Sequence, residues 1–168
     1  MYAKHLLKAP IFGIFFCGHV LAGSVVIDDK VSFAKDANIK SAVKNECKLE
    51  DKFANFLEQY ISDAGITVVR ASSDGAKSVN KRLHVEIDRV LGAGGGAWTG
   101  GKTVHAVGKL TENGKTIGSF SVQRSSSGGM FGAFKGTCSL LGRDVKSMAR
   151  DVSEWITSPT KDARLGEL

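Results

Sequence analysis

The chain has 168 residues, of which 24% are charged and 20 are glycine, and its formal net charge is +6. That length bounds it to one domain, and no internal repeat or long linker divides it. Without Lys4 and Lys8, Lys+Arg falls from 23 to 21 against 17 acids, a surplus too mild to argue for a nucleic-acid partner.

The N-terminus sets Lys4 and Lys8 before an apolar run from Ala9 to Ala22 that ends Val20-Leu21-Ala22-Gly23. A charged start, a short apolar middle and a small-residue end predict a secretory signal peptide over residues 1–22. A retained membrane helix needs about 20 apolar residues, and this run is shorter. Phe16 is too bulky to precede a lipidated Cys17. Cleavage after Ala22 would leave Cys47 and Cys138, which in an exported chain have one intramolecular pairing open to them.

Ser24 to Phe33 reads as one strand or two short extended pieces. Leu49, Phe53, Phe56, Leu57, Tyr60 and Ile61 then fall on one stripe of a helix, which Gly65 ends. Ile66 to Val69 is a β-branched strand. In Lys81 to Leu91, Leu83, Val85, Ile87 and Leu91 alternate with the polar set His84, Glu86 and Asp88. Thr103–Leu110 and Thr116–Gln123 flank Asn113-Gly114, a strong hairpin signal because both turn residues need positive φ. A second helix begins at about Cys138, carries Leu141, Val145, Met148, Val152, Trp155 and Ile156, and stops at Ser158-Pro159. The expected fold is α+β, a mostly antiparallel sheet with two helices packed on one face, over residues 23–159. Residues 160–168 read as a polar, flexible tail. Both cysteines lie near helix starts, so helices side by side with adjacent N-termini would join them.

Gly96 to Thr103 matches the phosphate-loop pattern G-x-x-x-x-G-K-[ST] letter for letter. A working loop needs a helix after its lysine. The residues after Lys102 alternate as a strand, so no nucleotide is expected, and no other cofactor. His84, Glu86 and Asp88, with His105 on a neighbouring strand, have the residue types of a metal site. They equally have the alternation of a solvent-facing strand, and the reading taken is no metal and no catalytic set. The loop Arg124 to Gly136, RSSSGGMFGAFKG, sets Met130, Phe131 and Phe134 among glycines. With Trp98 these are the candidate contact residues, either tucked under the sheet or exposed to a partner or membrane.

LHVEIDRVL, a glycine-rich break, a hairpin with Gly-Lys-Thr-Ile after its turn, RSSSGGMFG and a closing helix together resemble a family of small exported bacterial envelope proteins of unknown function. Their arrangement is similar to the periplasmic domain of the curli-secretion lipoprotein and to the N-terminal domain of TolB. The resemblance implies a periplasmic or envelope address and no catalytic residues. The function expected is a non-enzymatic module that binds another envelope protein or itself, with peripheral membrane contact a further option. The alternative is a periplasmic hydrolase or metal-dependent enzyme on the His84/Glu86/Asp88/His105 face. A third reading, weak binding of anionic polymers or lipid headgroups through scattered lysines, ranks last because helix-face lysines usually serve solvation.

Overall fold

A computed structural model describes residues 23–72, 80–91, 101–126 and 136–168. Among these, seven strands and three helices occur in the order β1 (Ser24–Asp28), β2 (Ser32–Phe33), α1 (Ser41–Cys47), α2 (Leu49–Asp63), β3 (Thr67–Ala71), β4 (Lys81–Leu91), β5 (Lys102–Glu112), β6 (Lys115–Ser126), α3 (Thr137–Trp155) and β7 (Ala163–Gly166). They form one α+β unit with the helices against a single sheet of order β3-β1-β4-β5-β6-β7, and β2 also pairs with β4.

The sheet is mixed, which corrects the expectation of a mostly antiparallel one. The long β4–β5 and β5–β6 pairings are antiparallel, as the Asn113-Gly114 turn requires; Asn113 has φ 51° and Gly114 φ 77°. The β1–β3, β1–β4, β2–β4 and β6–β7 pairings are parallel. For β1–β3 and β6–β7 the reason is that α1–α2 and α3 each form a crossover, and a helix that carries the chain back across the sheet returns the next strand parallel. The second crossover also removes the expected frayed tail. Residues 163–166 pair with Phe120 to Gln123, and Ala163 and Leu165 pack against the core. Two apolar residues in a polar segment were too little periodicity to mark a strand.

The helical stripes bury the faces their spacing marks. Leu49, Phe53, Ala54, Leu57 and Ile61 of α2 are buried, as are Leu141, Val145, Met148, Val152 and Trp155 of α3. Each large side chain removed from water contributes about 1.5–3 kcal/mol, enough to overcome the poor intrinsic capping of both helices. Gly65, at φ 83°, ends the turn after α2. The short α1 was not expected, because only Val43 and Cys47 mark its buried side. Lys48 in the left-handed conformation separates it from α2.

One face assignment on β4 changes. Ile87 faces Ala106 and Arg89 faces His105, so Asp88 is the extra residue of a bulge. Beyond the bulge the alternation slips by one: Val90 is buried and Leu91, expected inward, is 55% exposed.

Candidate functional site

The polar residues of β4 divide into two groups. At the first, the β1–β4 register of Val26 with Arg82 and Ile27 with Leu83 brings the end of β1 beside His84. Arg82 donates to Asp28 Oδ1, and His84 Nδ1 lies 2.6 Å from Asp28 Oδ2. His84 Nε2 is 3.6 Å from Glu86 Oε1, and the Ser32 hydroxyl donates to the same Glu86 oxygen at 3.5 Å. A hollow of about 290 Å³ opens here, lined by Asp28, Asp29, Lys30, Ser32, Ser72 and His84.

The electrostatics describe a fastening between β1 and β4. The hydrogen bond to Asp28 raises the His84 pKa, with the charges of Asp28 and Glu86 adding to it against a desolvation penalty. Burial works to raise Asp28, but hydrogen bonds from His84 and Arg82 outweigh it and hold the carboxyl below its usual value. With Nδ1 bonded to Asp28 and Nε2 turned toward Glu86, the imidazole is held between carboxylates of two strands. The cluster clips the end of β1 to β4.

The second group is His105 with Asp88, their Nδ1 and Oδ1 2.5 Å apart, His105 being buried. His84, Glu86, Asp88 and His105 therefore do not converge on one centre. Among the described residues no group of three or more His, Cys, Asp and Glu side chains is placed to hold a metal ion. The four residues named for the alternative enzyme reading thus fall into two separate contacts, because the bulge at Asp88 turns it toward His105.

On the helix side Cys47 and Cys138 are bonded, with Cα atoms 4.7 Å apart, joining the end of α1 to the first turn of α3. Further contacts recur at a constant offset. Gly142 lies against Lys52, Lys146 Nζ stands 5.7 Å from the Phe56 ring centre, and Arg150 stands 5.4 Å from that of Tyr60. Each pair is separated by 90 residues, and the disulfide by 91. α2 and α3 thus run parallel with their N-termini together, as the topology demands: β1 and β6 are both parallel to β4, and each helix returns from one of them.

A buried polar seam lies between α3 and the end of β6. Arg124 makes a two-pronged ion pair with Asp151, at 2.8 and 2.6 Å. Ser126 donates to Asp144 Oδ1, while Asp144 Oδ2 is buried without a hydrogen-bond partner. Burial pushes the Asp144 carboxyl up to about 7, Glu167 adding to the rise and Ser126 and Arg143 opposing it. Lys102 begins strand β5, buried and in register with Ser126. The lysine of the phosphate-loop pattern therefore enters a strand rather than a helix. The expected contact residues Trp98, Met130, Phe131 and Phe134, and the predicted signal segment, lie outside the described residues.

The helix-side cations and the buried Asp144 were missed by sequence reasoning. The i, i+4 spacing of Lys146 with Arg150, matched by Phe56 with Tyr60, was the one signal that could have flagged the former.

The fold has known relatives. A point variant of PelC from Paraburkholderia phytofirmans, crystallised as a dodecamer, is similar over 77% of this chain and 87% of its own, with 11% identity and a TM-score of 0.50. Protein XCC0632 from Xanthomonas campestris, of the DUF330 family, is similar over 79% and 82%, with 14% identity and a TM-score of 0.51. No family model matches the chain, and no curated protein matches it in sequence.

Proposed function

We propose that this chain is an exported, non-enzymatic envelope protein that works by association, and that its principal partner is a second copy of itself. The observation that carries the reading is the fold it shares with PelC, a protein crystallised as a dodecamer. Features of the chain itself support it. The leader-like residues 1–22 and the disulfide suit an oxidising compartment. The envelope address is also what the resemblance to the curli-secretion and TolB domains implies.

The sheet is open at both ends. β3 and β7 form its edges, each with a row of backbone groups facing no further strand among the described residues, and Val69 on β3 is 43% exposed. Contact between the β7 edge of one copy and the β3 edge of the next joins two different surfaces, the kind of contact that closes into rings.

Light scattering coupled to gel filtration of the oxidised protein tests the proposal. An oligomer is expected, and Val69→Lys should shift it toward monomer without lowering the melting temperature. A protein that stays monomeric at every concentration and cross-links to nothing in the envelope would end the reading.

A further inference from the structure

We infer that the seam between α2 and α3 is a docking surface for an anionic lipid bilayer. Four cations lie along it. Lys146 and Arg150 of α3 are exposed and stand over the Phe56 and Tyr60 rings of α2, while Lys52 and the exposed Arg143 continue the row past Gly142. Among the described residues none of the four is ion-paired with a carboxylate; three acids of the two helices are engaged elsewhere, and the exposed Glu154 lies one turn beyond Arg150 at the end of the row. Asp51 pairs with Lys30 and Glu58 with Arg70 on the β3 side of α2, and Asp151 is taken by Arg124 below.

The shape selects among anionic partners. Two parallel helices of 15 and 19 residues offer a face about 22–28 Å long. Lys146 and Arg150 sit four residues apart on α3, about 6 Å along its axis. Phe56 and Tyr60 are half-buried and stacked on one another at 6.5 Å. Because cations cover these rings, the seam has no open slot in which a base could stack, as single-stranded nucleic acid requires. Amphipathic side chains carrying charge outward over a ring layer are instead the pattern found at headgroup depth. No helix among the described residues is long and apolar enough to cross a membrane. A single copy presents the whole seam, so the inference stands apart from self-association.

Vesicle co-sedimentation tests it with the oxidised protein and phosphatidylglycerol–phosphatidylcholine vesicles, pure phosphatidylcholine serving as control. Binding is expected on the anionic vesicles alone and should fall as salt rises. Each cation near such a surface is worth about fivefold in partitioning, so Lys146→Gln with Arg150→Gln should cost about 30-fold. Lys109→Gln, on the exposed opposite face of the sheet, should cost nothing. If the double variant fails to fold by circular dichroism, Lys52→Gln and Arg143→Gln read the same surface at about fivefold each. Indifference of the wild type to anionic vesicles, equal loss from Lys109→Gln, or tighter binding to a soluble polyanion such as heparin than to the vesicles would overturn the inference.

Discussion

Replacing Asp144 by asparagine should stabilise the protein progressively as pH rises from about 4 to 7, and fully above that. Asp144 is 2% exposed, one carboxyl oxygen accepts from Ser126, and the other meets no donor. Ionising it in place strands a charge in a site that solvates half of it. The unfolded chain releases this proton near 3.8 and the folded chain near 7, so between those values the native state holds more protons than the unfolded one. Stability therefore falls as pH rises through the window and levels off above 7. About three pH units at 1.36 kcal/mol each sets a ceiling of about 4 kcal/mol. Water drawn to Oδ2 on ionisation lowers this, and a gain of about 2 kcal/mol for Asp144→Asn at pH 8 is expected, or roughly 4–8 °C in Tm. The asparagine amide replaces one unpartnered group by another, a cost independent of pH that cancels when two pH values are compared. Urea melts of wild type and variant at pH 5 and pH 8 give the difference directly. An Asp144→Asn effect that is the same at both pH values, or more destabilising at pH 8, would refute the reasoning.

The clips at either side of the sheet give two further expected outcomes. Replacing Cys47 and Cys138 together by alanine opens a loop of 91 residues and should cost about 4–5 kcal/mol in denaturant melts; a loss near zero would mean that helix packing alone fixes the two N-termini. Asp28→Asn should weaken the fold more at pH 6 than at pH 9: the contribution of His84, whose folded pKa is raised by Asp28, is complete below about 6.5 and fades as pH rises through the folded value. A histidine titration followed by NMR should show the His84 midpoint falling in that variant, and an unmoved midpoint would remove Asp28 as its cause.

Much of the architecture was legible because local patterns and tertiary packing agree. The stripe from Leu49 to Ile61 and that from Leu141 to Ile156 each bury the face their spacing marks, and Asn113-Gly114 turns where only positive φ fits. The failures have definite physical origins. A single inserted residue at Asp88 reverses every later face on β4, and nothing in LHVEIDRVL signals the insertion. Parallel or antiparallel pairing of β1, β3 and β7 depends on where a crossover lands, which is a property of the assembled sheet. β7 has two inward apolar residues and is defined mainly by the backbone of β6 beside it.

The chemistry was less legible for a related reason. Lys146 and Arg150, read along α3, are ordinary solvating residues at helical spacing, and Phe56 and Tyr60, read along α2, are the margin of a buried stripe. They become one surface only when the helices run parallel at an offset of 90, a register fixed by the direction of β1 relative to β6 and pinned by Cys47–Cys138. Antiparallel helices would have set these rings against other α3 residues and dispersed the cations. The disulfide therefore has a consequence beyond stability. Holding the two N-termini together keeps each cation over its ring, so loss of the bridge should loosen the Lys146–Phe56 and Arg150–Tyr60 contacts even where the fold survives.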